Sequence, residues 1–242
     1  MVRFALKGIL GRKLRTGLTA IAIVLGVAMV AGTFMLTDSI DKAFDSIFTD
    51  VRKGSNAVVT GKSAFDLSEG SGTNSPTLDE SLLPEVRSLP SVAEAEGGVD
   101  GEAQLIGEDG KAIVYGGAPN LGFSVSSGDS PFNPLTLVEG AWPKAGELVI
   151  DRSTADKEDF RLGESIGVQA EGPAQRLRIS GLVRFGSVST IGGATLAGFD
   201  LPTAQELFGK RGRLDEIAVA AKPGVSDDEL VRDLQAKLPP TA

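Results

Sequence analysis

The chain has 242 residues, of which 41% are hydrophobic and 23% charged, a composition ordinary for a folded protein of one or two domains. It contains no cysteine and no histidine. These two absences exclude a disulfide framework, a thiolate nucleophile, a zinc site of cysteine and histidine, and a Ser-His-Asp triad.

The formal charge of −8 is distributed unevenly along the chain. The first 37 residues carry five basic side chains, Arg3, Lys7, Arg12, Lys13 and Arg15, and no acidic one. The rest of the chain holds the other 19 basic residues and all 32 acidic ones, a balance of −13. So acidic a domain lacks the clustered cations that bind nucleic acid, and its charge is typical of the outer side of a membrane.

Residues 18–36 form an uncharged apolar run that predicts a transmembrane helix. As a helix it would span about 28 Å, at about 1.5 Å per residue, which is close to the thickness of the hydrocarbon core. The cations before the run and the acidic residues from Asp38 onward predict an N-terminus in the cytoplasm. The alternative is a signal peptide cleaved after Ala28, since Gly26 and Ala28 are small at the positions that signal peptidase reads. The apolar run continues for eight residues beyond Ala28, which favours a retained helix.

Two amphipathic segments flank the apolar run. In residues 1–17, every fourth residue from Val2 to Leu14 is apolar beside basic residues, which predicts a short helix on the cytoplasmic leaflet. An unstructured basic segment is the alternative. Residues 37–54 are predicted to continue as a stalk helix outside the membrane, because apolar residues recur along one face. Those residues are Ile40, Phe44, Ile47, Phe48 and Val51.

Beyond residue 54 the pattern predicts an α+β domain with two subdomains. An α/β subdomain is built from residues 55–118 and 201–242, and a β-rich subdomain, residues 119–200, is inserted into it. The flanks contain predicted strands at 57–60 and 216–221, a hairpin around Glu108-Asp109-Gly110, and predicted helices at 78–89, 201–210 and 226–238. Ser226 and Glu229 form a capping box at the start of the last helix. The middle contains strands in LTLVEG, GELVID and SIGVQAEGPAQRLRISGLVRF, with GPAQ (172–175) as a hairpin loop.

No motif in the chain indicates catalysis or ligand binding. Gly61-Lys62-Ser63 resembles the end of a phosphate-binding loop, but the glycine required five residues earlier is Asn56, so a turn is favoured. Asp227-Asp228-Glu229 stand where a helix begins, and acids are favoured there by the helix dipole. The remaining candidates lack a motif or a partner: Ser124 and Ser187, Gly192-Gly193 and Gly198, and Asp156, Glu158 and Asp159. We therefore expect no catalytic residue, no metal ligand and no cofactor site.

Two stretches resemble one family of membrane proteins. RKLRTGLTAIAIVLGVAMV (12–30) is similar to the opening of FtsX-like and MacB-type ABC transporter permeases, where Arg-Thr, Leu-Thr and Gly-Val-Ala recur in the first membrane helix. Those positions here are Arg15, Thr16, Leu18, Thr19, Gly26, Val27 and Ala28. LVEGAWPKAGELVIDRSTADKEDFRLGESIGV (137–168) resembles the family's extracytoplasmic core domain, with a Gly-x-x-Pro turn, a Gly-Glu strand start, an Ala-containing helix and a Gly-(Asp/Glu) pair before a strand. Those positions are Gly140, Pro143, Glu147, Ala155, Gly163 and Glu164.

The resemblance implies a permease subunit in a bacterial cell membrane. It implies an outer domain with a porter-like α/β subdomain and a β-rich insertion. The expected protein partners are a second permease copy, forming a homodimer or a heterodimer, and a separate cytoplasmic ATPase. Membrane lipid is a further expected partner, and nucleic acid is not. Movement of the outer domain would drive export, lipoprotein release or activation of an outer partner. Such permeases have three further membrane helices after the outer domain, so the chain is expected to be the N-terminal part of a permease.

Two other functions stay open from the residues alone. One is a secreted or membrane-anchored module that binds a ligand between its subdomains and has no transport role. The other is an enzyme that uses only carboxylates, such as a glycosidase. The aromatic content of 5% disfavours the glycosidase, because aromatic side chains usually stack on sugars.

Overall fold

The computed structural model describes residues 17–19, 21–35, 54–62, 75–126, 130–186 and 193–239. The chain divides into two units, residues 1–48 and residues 49–242. In the first unit, helix α1, Gly17–Met35, has a mean hydropathy of 2.3 and is long and apolar enough to cross a membrane. Its large apolar side chains are exposed, as a lipid-facing helix requires. The predicted amphipathic segment 1–16 and nearly all of the predicted stalk, residues 37–53, lie outside the described residues.

A three-stranded antiparallel sheet in the second unit combines segments far apart in the chain. Its order is β1-β13-β3, with β1 at Ala57–Thr60, β13 at Glu216–Ala221 and β3 at Val92–Gly98. Alternate residues such as Val59, Ile217 and Val219 are buried on one face, as period-two patterning requires. Two helices bury apolar side chains in the same core, α2 at Leu82–Arg87 through Leu83 and Val86, and α5 at Asp227–Lys237 through Leu230 and Leu234.

An eight-stranded sheet forms most of the rest of this unit. Its strands are β4 Asp100–Glu102, β5 Gln104–Ile106, β6 Asn120–Ser124, β7 Leu135–Gly140, β8 Glu147–Asp151, β9 Ser165–Gln169, β10 Gln175–Phe185 and β11 Thr195–Phe199. The order is β4-β6-β11-β8-β10-β9-β5, with β7 also paired to β10. β8 and β10, and β6 and β11, run parallel, and the other pairs are antiparallel. Because Ala103 alone separates β4 from β5, the two ends of the sheet meet in one continuous segment and the sheet closes on itself.

Two short helices and a two-stranded sheet complete the described part of this unit. Helix α3, Arg152–Glu158, follows β8 directly, and Asp151 caps it by accepting a hydrogen bond from Thr154 N at 2.8 Å. The other carboxylate oxygen of Asp151 accepts from Leu196 N at 3.1 Å, which ties the helix start to β11. Helix α4, Leu201–Leu207, follows β11. Strands β2, Leu78–Asp79, and β12, Arg213–Leu214, form an antiparallel pair.

One hydrophobic core connects the two larger sheets and the four helices of the second unit. Phe199 and Ile150, from neighbouring strands of the larger sheet, are fully buried. Phe199 packs edge-to-face against Phe208, which follows α4, with ring centroids 6.2 Å apart. Both sheets are therefore parts of one packed body.

Most predicted elements are confirmed. The strands at 57–60, 135–140 and 216–221, the hairpin loop after β9 and the helix over 226–238 are present, and Ser226 Oγ accepts from Glu229 N at 3.3 Å. In the predicted hairpin at 108–110, the return strand is reduced to a single bridge between Ile106 and Ala112. The helix predicted over 78–89 is wrong at its start, because Leu78–Asp79 pair with β12 and the helix begins at Leu82. The division into an α/β and an inserted β-rich subdomain stays a prediction.

Candidate functional site

A cleft of about 580 Å³ opens where the chain passes from the smaller sheet to the larger one. We call it the fork cleft. Its walls are the length of β3, the end of α2 with Arg87, residues 124–126 after β6, Pro143, and Asp200 and Leu201 at the start of α4. The volume lies within the range typical of small-molecule sites, about 300–1,000 Å³.

The fork arises because one continuous strand segment changes its neighbour. β3 pairs with β13, whereas β4, one residue further on, pairs with β6. The residue between them, Val99, donates its N–H to Ser124 Oγ at 3.0 Å and accepts from Ser124 N at 2.8 Å. Beyond Ser124 the chain no longer pairs with this segment but continues along β11, where Val125 N donates to Phe199 O at 2.7 Å. β3 and residues 124–126 therefore diverge, and the gap between them is the cleft.

The charged side chains of the cleft are mostly acidic. Among the described residues, Glu94, Glu96 and Asp200 line it together with one cation, Arg87, and these four side chains sum to a charge of −2 when all are ionised. Arg87 Nε donates to the carbonyl oxygen of Ala95 at 2.8 Å, which keeps this side chain along the edge of β3.

Glu96 and Asp200 are the partly buried carboxylates of the described lining, whereas Glu94 is exposed. Burial raises the pKa of Glu96. The Ser130 hydroxyl, which donates to Glu96 Oε2 at 2.7 Å, and the charge of Arg87 both lower this pKa, but they offset the effect of burial only in part. Asp200 stands at the N-cap of α4 but makes no capping hydrogen bond. Its Oδ1 is buried and has no hydrogen-bond partner within the described part of the chain. A buried acceptor without a donor is unusual in proteins and is a feature to be explained.

A second polar cluster braces the junction of the two sheets on the side of α4. Lys210 Nζ donates to Asp215 Oδ2 at 2.7 Å and to the carbonyl oxygen of Asp100 at 2.8 Å. Asp215 Oδ2 also accepts from Asp100 N at 2.9 Å. Desolvation and the negative charge of Asp215 raise the pKa of Asp100. These bonds join the backbone of β4 at Asp100 to the segment between α4 and β13, so the cluster is a structural brace.

The residues weighed as candidates from the sequence do not converge on one site. Ser124 is a hydrogen-bonding partner of Val99, Asp156 pairs with Arg152 at 2.8 Å, and Glu158 accepts from the hydroxyl of Tyr115 at 2.8 Å. Asp227, Asp228 and Glu229 occupy the first turn of α5. Gly198 lies inside β11, Gly193 in a turn, and Asp159 is the left-handed residue that ends α3.

Ser63, Ser187 and Gly192 lie outside the described residues. Within the residues that the structure describes, no three His, Cys, Asp or Glu side chains come together as a metal ion would require. The sequence patterns did not predict the fork cleft. Glu96 lies in an ordinary alternating strand and Asp200 before an ordinary helix, and neither carries a local signal that would link the two.

Most of the chain is similar to known proteins. The family model for the MacB-like periplasmic core domain matches residues 16–237. The extracellular domain of the noncanonic ABC-type transporter YknZ from Gram-positive bacteria is similar, with a TM-score of 0.50 and 13% identity over 73% of this chain and 86% of that one. The periplasmic region of MacB from Actinobacillus actinomycetemcomitans gives a TM-score of 0.48 and 14% identity, over 79% of this chain and 88% of that one. No curated protein matches the sequence.

Proposed function

The chain belongs to the family of MacB-like periplasmic core domains of ABC transporter permeases, and on that premise we propose that it couples ATP hydrolysis to work outside the membrane. In this proposal it is the N-terminal part of a permease subunit. A separate cytoplasmic ATPase and a second permease copy complete the transporter. Movement of the extracytoplasmic domain then drives export, lipoprotein release or activation of an outer partner.

The observation that carries the proposal is the extent of the family match. It begins at residue 16, before α1, and ends at residue 237, the last residue of α5. The apolar helix and the acidic domain therefore belong to one family unit. This supports a domain joined permanently to the membrane rather than one released by a signal peptidase.

The charge distribution supports the orientation that we propose. Five basic residues precede α1 and no acidic residue occurs before Asp38, so the N-terminus faces the cytoplasm and the domain lies outside. Lipid then surrounds α1, whose exposed side chains include Phe34 and Met35, each 72% exposed.

Single-cysteine labelling of the 242-residue chain tests the orientation, because these residues contain no cysteine. Lys7→Cys and Glu108→Cys variants are expressed separately in bacterial cells and treated with a membrane-impermeant maleimide. Glu108→Cys, in an exposed turn, should react in spheroplasts, and Lys7→Cys only after detergent is added. Labelling of Lys7→Cys in intact spheroplasts would contradict the proposed orientation.

Co-purification tests the coupling itself. The full gene product is tagged and extracted from native membranes in mild detergent, and we expect an ABC ATPase to co-elute with ATP hydrolysis activity. The alternative function, a secreted or membrane-anchored ligand-binding module with no transport role, is supported by the fork cleft. It predicts a purified chain without ATPase, even after chemical cross-linking in the membrane.

A further inference from the structure

The fork cleft has features of a binding site that the proposed transport role does not require. It combines an apolar wall, formed by Leu83, Val125, Pro143 and Leu201, with two partly buried carboxylates, Glu96 on β3 and Asp200 before α4. Small-molecule sites commonly pair an apolar lining with a few polar groups that fix the orientation of the ligand.

The accessible part of Asp200 favours a cationic ligand. Its Oδ1 is buried and has no donor among the described residues, so a ligand can reach only the rest of the side chain. That remainder is partly exposed and lines the cleft. A cation close to a carboxylate in a partly desolvated cleft is stabilised by charge attraction and by charge-assisted hydrogen bonds.

Glu96 contributes a second negative group from the facing element. It is half-buried, and the hydroxyl of Ser130 donates to its Oε2. Among the described lining residues Arg87 is the only cation, and its Nε is already bound to the Ala95 carbonyl. A metal ion is a poorer fit, because the described residues contain no cluster of three ligating side chains.

We propose that the fork cleft binds a ligand that carries a protonated amine or guanidinium group beside an apolar portion. The cation lies against Glu96 and Asp200, and the apolar portion packs on Leu83, Val125 and Leu201. A basic side chain of a short peptide and a free polyamine both offer this cation. This inference stands apart from the transport role, since binding at the cleft requires neither an ATPase nor a second permease copy.

A pair of matched peptides tests the proposal on the native full-length chain in detergent. Acetyl-Leu-Arg-Leu-amide is compared with its neutral counterpart acetyl-Leu-Gln-Leu-amide by isothermal titration calorimetry at low ionic strength. The emission of Trp142, the single tryptophan of the 242 residues, gives a second readout because its sequence neighbour Pro143 lines the cleft. We expect the Arg peptide to bind at least about tenfold more tightly, as one charge-assisted hydrogen bond would provide. Equal affinity for the two peptides, or no binding of either, overturns the proposal.

Two charge-removing variants locate the site. Asp200→Asn and Glu96→Gln keep the shape of the side chain, and each should weaken binding of the Arg peptide about tenfold or more. Glu108→Gln removes one carboxylate from an exposed turn that does not line the cleft, and it should leave the affinity unchanged. A loss of affinity as large in Glu108→Gln as in Asp200→Asn would show a general charge effect and overturn the assignment. Circular dichroism confirms that each variant is folded, and the peptide comparison on the native chain does not depend on the variants.

Spermidine identifies the source of the cation. If it competes with the Arg peptide and binds more tightly, the ligand is a free polyamine, and if it binds less tightly, the ligand is a basic peptide. Both outcomes support a cation-binding cleft. Failure of spermidine and of the Arg peptide to compete with each other, when both bind, overturns a shared site.

Discussion

Val99 and Ser124 exchange two hydrogen bonds at the point where the two large sheets separate. Val99 N donates to the Ser124 hydroxyl oxygen at 3.0 Å, and Ser124 N donates to Val99 O at 2.8 Å. The first bond takes a side chain, rather than a backbone carbonyl, as its acceptor. Because of this exchange, the chain passes from β3 in the smaller sheet to β4 in the larger one without leaving the amide of Val99 unpaired. The same two bonds form the base of the fork cleft.

Removal of the Ser124 hydroxyl should therefore destabilise the domain. Ser124→Ala leaves the N–H of Val99, a residue only 2% exposed, without its acceptor, at a cost of about 1–3 kcal/mol. Urea denaturation of the purified chain in detergent, followed by far-UV circular dichroism, measures the change. Ser165→Ala in the exposed first position of β9 is the control and should change the free energy of unfolding by less than about 0.5 kcal/mol. Equal stability of Ser124→Ala and Ser165→Ala would show that water replaces the lost acceptor.

Alanine substitutions at two glycines with a left-handed backbone distinguish backbone strain from steric overlap. Gly140 and Gly146 have φ of +85° and +79°, but a Cβ at Gly140 would lie 2.3 Å from the Ser180 carbonyl oxygen, whereas a Cβ at Gly146 would have nothing within 4 Å. Both alanine variants carry left-handed strain of about 1–2 kcal/mol. Gly140→Ala adds steric overlap costing about 1–3 kcal/mol more. The difference between the two midpoints of urea denaturation measures that overlap, and identical midpoints would mean that β7 can move away from β10.

The raised pKa of Glu96 predicts a pH-dependent effect on stability. Because burial raises this pKa in the folded state, the folded chain binds the proton more tightly than the unfolded chain. Stability is then lost as the pH rises from about 4, near the ordinary pKa of Glu, through the raised value. Glu96→Gln removes this loss, since the amide stays neutral and its oxygen still accepts from Ser130.

Thermal unfolding of the native chain and of Glu96→Gln from pH 4 to pH 7.5 provides the measurement. The melting temperature of Glu96→Gln minus that of the native chain should increase as the pH rises from 4 to 7.5. Exposed Glu108→Gln is the matched control and should show no such trend. A difference that stays constant with pH would mean that Glu96 titrates in the folded state as it does in the unfolded chain.

The N-terminus of the membrane-extracted native protein distinguishes a retained helix from a cleaved signal. We expect a protein that still contains α1, because the apolar run extends well beyond Ala28 and the family match includes the helix. Intact mass spectrometry measures this directly. A mature protein that begins at Met29 would refute the transmembrane helix, although it would leave the fold of residues 49–242 unaffected.

Local patterns explain why much of the fold could be predicted. The alternation in EIAVAA, the Asp-Gly turn at 109–110 and the capping of α5 by Ser226 depend on residues within one or two turns of each other. The start of α2 was mispredicted for the opposite reason. Leu78 and Asp79 fit a helix pattern, but they pair with Leu214 and Arg213, which lie far along the chain, and tertiary pairing outweighs local propensity.

The sequence by itself determined the apolar helix, the acidic charge beyond it, most strands and helices, and a family resemblance that the family match confirms. Those features depend on composition and on short periodicities, which a linear pattern records completely. Only the tertiary structure decided that the larger sheet closes through Ala103, that the sheets part at Val99, and that Glu96 and Asp200 line one cleft. Strand order and register depend on long-range pairing and on the filling of a shared core, and neighbouring residues do not encode which distant strand will be the partner.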